Sequence, residues 1–515
     1  MLSSHFNTSR VQILRGDKLA STEAQYALIV IVDQMIYDYM QFMPRLKDIV
    51  SESSNFTRTY LRHIPAQTPV GHATISTGLK PAEDPSTGHG IIGWEWYEGT
   101  KRIELNTVLK RKNDIKNVLK AKTLADMAWN KGFRVVTISG KRAVSLILGC
   151  TDFDKEKKRY FALFPEHRTD NTWIMLETDD DVDPKLVDTD RGTKLFRNSI
   201  VTPRPIENKY NNPEPLDELV FKAAVEVLEN YLCTERKDRR WLLLVSFSAT
   251  DLAGHRFGPY SHRVKNCLKQ VDYYIFKLRE MLSLKGLLDD TVFVLTSDHG
   301  ARVTFANCRI QPLSASTRIR YVKTSFRRIR RGSRAIYVEK KIKDIEHDTE
   351  VGFHFRNLLV AGNDIGYVYL QPQDHLDIIC PQLSMIPYIR CILGKRGERG
   401  LVPNRFCTTY VDALIKCSKT RDNVGDLILI PDEGVTIQSP YESYDPPPGS
   451  HGSCHLHEKT YHIPLLISGQ GVPCIGNRQE DADGKDVFQD KIAPTVAHLL
   501  DLDFPNDTRT KQIKL

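Results

Sequence analysis

The chain has 515 residues, of which 41% are hydrophobic and 26% are charged, close to the averages of soluble globular proteins. This composition excludes disordered, collagen-like and low-complexity classes, and the length allows one large domain with insertions or two to three domains. With 72 basic and 64 acidic residues the net charge is +8, which suits anionic substrates but is too small to indicate nucleic-acid binding.

Apolar runs are short throughout the chain. The longest, Tyr26 to Val32, falls well below the roughly 18 to 20 residues that a bilayer-spanning helix needs, so no transmembrane helix is predicted. The first ten residues lack the apolar stretch of a signal peptide. As written, the chain is therefore expected to be cytoplasmic.

Strand-length apolar runs alternate with amphipathic segments of helix length, a pattern typical of parallel β-α units. The predicted strands, in chain order, are Tyr26 to Val32, Phe133 to Ser139, Trp241 to Ser248, Thr291 to Ser297, Leu427 to Pro431 and His462 to Ser468. The predicted helices are Thr123 to Lys131, Pro215 to Tyr231, Arg263 to Ser283 and Lys491 to Leu500. The sequence thus predicts an α/β fold.

Two long stretches interrupt this alternation. Residues 155–212 contain the acidic patch 178–183, and residues 301–426 begin with a strongly basic stretch between Arg318 and Lys341. Long insertions between core strands usually cover an active site or form a small subdomain. We therefore expect one catalytic domain over residues 20–515 that carries both insertions, with the basic stretch as part of a lid.

Carboxylates and imidazoles follow several predicted strands. Ligands of an open parallel sheet bind beyond the carboxyl ends of its strands, so residues at these positions carry most information about function. The residues concerned are Asp33, Asp251 with His255 four residues later, the pair Asp298 and His299, and His451 before the last strand. These are ligand types that zinc and similar divalent ions take, in numbers that suit a pair of metals.

A hydroxyl nucleophile could come from Thr68. The segment Pro65 to Gly78 places this residue before Pro69, at a turn that leads into a helix-like stretch. A helix N-terminus favours a nearby anion, which fits a phosphorylated threonine.

Each residue also has a purely structural interpretation. An Asp after a strand is often a turn or helix cap, and His255 and His451 could be hydrogen-bonded core histidines. We assign His72 and His89 to such structural roles. The functional interpretation is favoured because the candidates all fall at strand ends of one predicted sheet.

The order of motifs resembles the alkaline phosphatase superfamily, and within it the phosphate-irrepressible alkaline phosphatase and nucleotide pyrophosphatase/phosphodiesterase group. The resemblance spans most of the chain. It rests on Val32-Asp33, Gln67-Thr68-Pro69 with Gly71-His72-Ala73-Thr74, Gly88 to Gly93, Asp251 with Gly254-His255 and Gly258-Pro259, Ser297 to Gly300, His451-Gly452-Ser453 and Ala493-Pro494-Thr495.

This resemblance implies an alkaline-phosphatase-like three-layer α/β/α sandwich with a mostly parallel central sheet. It implies two divalent metal ions, most typically zinc, although manganese or iron accept the same ligands. One ion would be held by Asp33, Thr68, Asp298 and His299, and the other by Asp251, His255 and His451. Thr68 would be the nucleophile. Relatives of this kind are generally exported.

Two departures from the family pattern concern substrate binding. Trp94 stands where the family typically carries an asparagine that contacts the transferred phosphoryl group. Lys141 and Arg142 are adjacent, whereas the resembling segment of the monoesterases separates its lysine and arginine by one residue. Both cations lie at a strand end, where they could bind non-bridging phosphoryl oxygens, or they are a solvated loop pair.

These residues predict a phosphoric ester hydrolase that acts on a small phosphorylated substrate through a phosphothreonine. Phosphate monoesterase is the first expectation, because Lys141 and Arg142 could neutralise a terminal dianion. The alternative is a phosphodiesterase or nucleotide pyrophosphatase, because Trp94 would weaken the phosphate pocket and offer an aromatic face. An alternative of another class is an inactive member whose basic stretch binds nucleic acid or an anionic surface.

Overall fold

The fold is described from a computed structural model. It describes residues 24–81, 88–98, 101–153, 160–167, 173–177, 212–233, 240–303, 334–336, 357–362, 365–369, 389–394, 427–431, 435–437, 449–451, 461–504 and 512–515. The acidic patch 178–183 and most of the basic stretch lie outside these residues.

The strands, in chain order, are β1 Tyr26–Val32, β2 Ser54–Phe56, β3 Thr59–Tyr60, β4 Glu95–Glu98, β5 Lys101–Glu104, β6 Arg134–Ser139, β7 Tyr160–His167, β8 Trp173–Glu177, β9 Trp241–Phe247, β10 Thr291–Thr296, β11 Arg302–Val303, β12 Arg334–Ile336, β13 Asn357–Gly362, β14 Ile365–Tyr369, β15 Ile389–Gly394, β16 Leu427–Pro431, β17 Val435–Ile437, β18 Gly449–Ser450, β19 His462–Ile463, β20 Leu465–Ser468, β21 Gly476–Arg478 and β22 Val487–Phe488. The α-helices are α1 Leu46–Ser51, α2 Thr68–Thr77, α3 Leu105–Val108, α4 Ile115–Val118, α5 Leu124–Asn130, α6 Arg142–Ile147, α7 Glu214–Val227, α8 Ala249–Phe257, α9 His262–Leu284 and α10 Ile492–Leu499. Short 3₁₀ segments occupy Tyr37–Phe42, Lys112–Asp114 and Gln489–Lys491.

The central sheet contains nine of the described strands, in the order β21-β2-β20-β10-β1-β9-β6-β7-β8. Strands β10, β1, β9, β6 and β7 form a continuous parallel block, and β20 and β8 run antiparallel to their neighbours. The predicted mostly parallel sheet is confirmed.

Both faces of this sheet are covered. In β1, Ile29 and Ile31 pack into one hydrophobic cluster, whereas Leu28 and Val30 pack into another. Helices α2, α5 and α10 contribute to the first cluster, and α7 and α9 contribute to the second. The central strands are therefore continuous apolar runs, as expected for parallel strands buried on both faces. This arrangement is the predicted three-layer α/β/α sandwich.

Several sequence predictions need correction. The run Leu427 to Pro431 is a strand, but it lies in a separate four-stranded antiparallel sheet, β13-β14-β16-β15, rather than in the central one. The run His462 to Ser468 is divided into β19 and β20, which pair with β3 and β10 in different sheets. Pro464 lies between them and cannot donate a ladder hydrogen bond.

The two predicted insertions are described only in part. In residues 155–212, β7 and β8 extend one edge of the central sheet, so this portion is part of the core layer. In residues 301–426, β14 packs against the main core, where the Tyr367 hydroxyl donates to the Ile92 carbonyl at 2.7 Å. Within the described part of the chain, no helix combines the length and apolarity that crossing a bilayer requires.

Candidate active site

The candidate residues gather at the carboxyl-end edge of four adjacent strands, β10, β1, β9 and β6. Asp33 follows β1 directly, whereas one residue separates Lys141 from β6 and one residue separates Asp298 from β10. Asp251 lies in the first turn of α8, just after β9. Because these neighbouring strands run parallel, their ends bring the four side chains together.

Hydrogen bonds fix the end of β1 against the ends of β9 and β10. The Asp33 amide donates to the Phe247 carbonyl at 2.9 Å, which continues the pairing of β1 with β9. The Ser297 hydroxyl donates to the Val32 carbonyl at 2.7 Å and accepts from the Met35 amide at 2.9 Å. Asp33 and Asp298 are thus held on fixed backbone, and both are fully buried.

Helix α2 presents Thr68 at its N-terminus. Gln67 is extended at the N-cap, and Pro69, in the first turn, needs no amide partner there. The His72 Nδ1–H donates to the Thr68 carbonyl at 2.7 Å. A β-carbon at Gly71 would lie 2.1 Å from the Asp298 carbonyl oxygen. Glycine at this position therefore lets the helix approach the end of β10.

The residues Asp33, Thr68, Asp298 and His299 form one cluster. The Nε2 atom of His299 lies 3.2 Å from Thr68 Oγ1, 3.3 Å from Asp298 Oδ2 and 3.4 Å from Asp33 Oδ1. Its Nδ1–H donates to the Gly300 carbonyl at 2.9 Å, which fixes the tautomer and leaves Nε2 with its lone pair toward the other three residues.

A second cluster contains Asp251, His255 and His451. Asp251 and His255 are one helical turn apart on α8, and His255 Nε2 lies 3.1 Å from Asp251 Oδ1. His451, which follows β18, places its Nε2 3.1 Å from that of His255 and 3.6 Å from Asp251 Oδ1. Potential ligand atoms of these three residues all lie within 4.8 Å of one another, and the same is true of Asp33, Asp251 and His299. Asp251 thus joins the two clusters.

Lys141 lies between the clusters, whereas Arg142 points elsewhere. Lys141 Nζ is 2.6 Å from Asp33 Oδ2, 2.7 Å from Asp251 Oδ2 and 3.3 Å from Thr68 Oγ1. The Arg142 guanidinium donates to the Asn106 carbonyl at 3.2 Å and lies over the Phe164 ring at 5.8 Å. Because Lys141 is the extended N-cap residue of α6 and Arg142 starts the helix, the adjacent side chains diverge.

Trp94 is half-buried and packs against the hydrophobic cluster on the α2 face of the sheet. Its backbone carbonyl accepts a hydrogen bond from the Leu105 amide at 3.0 Å, which ties the segment to the start of α3. A place for Trp94 in the substrate pocket stays a prediction.

The site concentrates acidic side chains. Burial, followed by the carboxylates of Asp251 and Asp298, raises the pKa of Asp33 well above its usual range. Burial also opposes ionisation of Asp251, but Lys141 and His255 outweigh it and hold the Asp251 pKa well below its usual range. Burial lowers the pKa of His299 to about 4, so the imidazole is neutral at pH 7. Three buried carboxyl groups thus face a single lysine and the neutral imidazole of His299, an arrangement that favours additional cations.

Sequence reasoning missed some residues that shape the site. Gln34 Nε2 donates to Asp251 Oδ1 at 3.0 Å, and Gln489 Nε2 donates to the Ser297 and Asp298 carbonyls at 2.8 and 2.7 Å. Gln34 directly follows Asp33, which was the available signal, but a polar residue after a strand is also a common turn residue. Nothing near Gln489 in the sequence marks it. His72, to which the sequence assigned a structural role, lies within the site and contacts both Thr68 and, at 3.2 Å, Asp298 Oδ2.

Comparisons with known proteins identify a matching family and similar sequences. The family model for type I phosphodiesterase / nucleotide pyrophosphatase matches residues 27–454. Among curated proteins, alkaline phosphatase PhoK of a Sphingomonas species is 24% identical over 55% of this chain and 56% of its own length. Ectonucleotide pyrophosphatase/phosphodiesterase family member 7 of Rattus norvegicus is 28% identical over 21% of this chain and 24% of its own length. The chain spans little more than half the length of the first of these relatives.

Solved structures share the fold over most of the chain. Wild-type alkaline phosphatase PafA has a TM-score of 0.65 at 16% identity, over 95% of this chain and 99% of PafA. Murine ectonucleotide pyrophosphatase / phosphodiesterase 5 has a TM-score of 0.55 at 15% identity, over 93% of this chain and 96% of that protein. At these identities the two structures show the fold alone, one of a protein named a phosphatase and one of a protein named a pyrophosphatase / phosphodiesterase.

Proposed function

Since the chain belongs to the type I phosphodiesterase / nucleotide pyrophosphatase family, a family of phosphoric ester hydrolases, we propose that it hydrolyses phosphoric esters with Thr68 as nucleophile and prefers monoesters. The observation that carries this proposal is the surroundings of Thr68 Oγ1. This hydroxyl lies at the N-terminus of α2, 3.2 Å from His299 Nε2 and 3.3 Å from Lys141 Nζ.

The residues present fit two divalent metal ions. Asp33 Oδ1 and Asp298 Oδ2 are buried and have no hydrogen-bond donor among the described residues, although both lie within 3.4 Å of His299 Nε2. Buried carboxylate oxygens without a donor lower the stability of the folded protein unless a cation binds them. Asp33, Thr68, Asp298 and His299 would hold one ion, and Asp251, His255 and His451 the other. When bound, such ions act as Lewis acids that lower the pKa of a coordinated hydroxyl and stabilise a departing oxygen.

Thr68 performs the bond-making step in this proposal. Its Oγ attacks phosphorus as the ester oxygen departs, which gives an alcohol and a phosphothreonine; water then attacks the same phosphorus and restores the threonine hydroxyl. Two in-line displacements give overall retention at phosphorus. The helix N-terminus at Thr68 stabilises the negative charge of the phosphothreonine.

Lys141 supports the preference for monoesters. Its ammonium lies within hydrogen-bonding distance of Thr68 Oγ1, so it can reach the non-bridging oxygens of a phosphoryl group attached there. A monoester dianion gains more from this cation than a diester with its single charge. Arg142, which contacts Asn106 instead, is left out of the proposed site.

Lys141→Ala and Arg142→Ala provide a matched pair for the test. We expect Lys141→Ala to lower monoester kcat/KM by about 10²- to 10³-fold, the cost of losing one charge-stabilising donor, and to lower diester kcat/KM much less. Arg142→Ala should leave both rates near wild type. Equal losses on aryl monoester and diester substrates in Lys141→Ala would contradict the selector role.

The phosphodiesterase alternative keeps one specific argument, the tryptophan at position 94. If wild type prefers diesters and Trp94→Asn shifts this preference toward monoesters, the diesterase function replaces the first proposal. Salt-sensitive binding to nucleic acid without any hydrolase activity would instead support a binding protein.

A further inference from the structure

Gln34 has an unusual backbone conformation next to the candidate site. Its φ is 64°, in the left-handed region that favours glycine, and Asp501 is the other non-glycine residue with positive φ in the described part of the chain. The side chain is 1% exposed. Strained backbone of this kind persists where the surrounding structure requires it, which often marks functional sites.

The conformation lets one residue contact two carboxylates. The Gln34 backbone N–H donates to Asp298 Oδ1 at 3.1 Å, and the side-chain Nε2 donates to Asp251 Oδ1 at 3.0 Å. Because a carboxylate only accepts hydrogen bonds, the carboxamide must present its nitrogen to Asp251. Gln34 therefore links Asp298 of one cluster to Asp251 of the other, two residues that are 47 positions apart in the sequence.

Gly254 provides the space for this carboxamide. A β-carbon at Gly254 would lie 1.8 Å from Gln34 Oε1. That oxygen is buried and accepts no hydrogen bond from the described residues, so no competing contact holds the amide in place. Gly254 is on α8, three residues after Asp251 and one before His255, so the helix that carries the second cluster is shaped to admit Gln34.

We propose that Gln34 is a positioning residue that orients the Asp251 carboxylate between the two clusters, and that Gly254 is glycine because this carboxamide occupies the place of its side chain. The inference rests on the proposed function, in which Asp251 holds a metal ion. With Oδ1 held by Gln34, the other oxygen of Asp251 meets Lys141 at 2.7 Å. A neutral amide fixes the carboxylate without adding charge to a site that already holds three carboxyl groups.

The direct test removes the carboxamide while it keeps the backbone contact. Gln34→Gly retains the N–H that donates to Asp298 and suits a positive φ, so the variant should fold. We expect calorimetric titration of zinc into the metal-stripped variant to show about 10- to 100-fold weaker zinc binding than in wild type. This is the loss found when other groups that orient metal ligands are removed. The loss in turnover should fall mainly on kcat, because ground-state contacts of the substrate are unchanged.

Two comparisons separate positioning from general damage. Gly254→Ala should weaken zinc binding as Gln34→Gly does, and the double variant should be no worse than Gly254→Ala alone, because no carboxamide remains to be displaced. Asp501→Gly relieves the same type of backbone conformation away from the site, at φ 51°, and should leave zinc binding unchanged. Melting temperatures monitor folding in each variant.

The outcomes distinguish this inference from the proposed function. Zinc affinity of Gln34→Gly within about twofold of wild type, or additive losses in the double variant, would overturn the positioning role while hydrolysis by wild type still supported the function. Conversely, a wild type that binds zinc in a Gln34-dependent manner but hydrolyses no phosphoric ester would support the positioning role and refute the function.

Discussion

The two halves of the candidate site are built differently. The Asp33, Asp298 and His299 half is fully buried and formed by residues within three positions of the ends of two adjacent parallel strands. The Asp251, His255 and His451 half is formed by the first helix after β9 and by a two-residue strand, and the His255 side chain is 18% exposed. The first half therefore depends on the sheet itself, whereas the second depends on how α8 and β18 are positioned against it.

Removal of the proposed nucleophile should have the largest effect on activity. Thr68→Ala should lower kcat by about 10⁴-fold or more, because covalent catalysis is lost. Zinc content should stay near wild type, because carboxylates and imidazoles supply most of the ligands. Thr77→Ala, in the same helix but with its hydroxyl bonded to the Ala73 carbonyl, is the matched control. Turnover of Thr68→Ala within tenfold of wild type would remove Thr68 from its role.

Gly71→Ala should damage the Asp33, Asp298 and His299 half of the site. Its β-carbon would lie 2.1 Å from the Asp298 carbonyl oxygen, so α2 must separate from the end of β10. We expect a loss of about 3 kcal/mol or more in the free energy of unfolding, together with loss of activity in the remaining folded protein.

Val70→Ala tests the specificity of that damage. Val70 is buried in the same helix, and its truncation should cost about 1 to 3 kcal/mol in unfolding free energy without pushing on Asp298. Activity per folded molecule should stay near wild type. If activity falls in the same proportion to the loss of unfolding free energy in Gly71→Ala and in Val70→Ala, the proposed clash is wrong.

The two halves should respond differently to loss of a histidine. His299→Ala opens a buried space and leaves the Gly300 carbonyl without its donor, so we expect about 2 to 4 kcal/mol lower unfolding free energy. His255→Ala, in the more exposed half, should cost at most about 1 kcal/mol. Both should weaken zinc binding. Denaturant unfolding of the metal-free proteins measures the stability difference, and equal losses would show that the halves are equally embedded.

This difference also explains what the sequence could reveal. Strand β1 was predicted with its observed bounds, because a parallel strand buried on both faces is a continuous apolar run, and Asp33 follows it directly. The separate sheet of β16 could not be predicted, since its apolar run looks like any core strand and its partners are distant in sequence. Likewise, adjacent Lys141 and Arg142 look equivalent, and the start of α6 decides which of them faces the site.

The last prediction concerns how the Asp251, His255 and His451 half is anchored, and it appears in stability alone. Asp217 Oδ1 accepts from the Ser248 and Ala249 amides at 2.7 and 3.1 Å and so holds the start of α8. Burial raises the pKa of Asp217 to about 7, although these two amides oppose the shift. An aspartate carboxyl group in an unfolded chain has a pKa of about 3.9.

The raised pKa fixes the sign of the pH dependence. Between about pH 4 and pH 7 the unfolded state releases the Asp217 proton while the folded state keeps it, so the contribution of this group to stability falls as pH rises. Asp217→Asn keeps an oxygen acceptor for both amides and cannot titrate. The unfolding free energy of Asp217→Asn relative to wild type should therefore rise across this window, by at most about 1.4 kcal/mol per pH unit, and stay constant above it. A difference that is flat with pH would show that Asp217 ionises normally in the folded protein, and that α8 is anchored by an ordinary carboxylate cap.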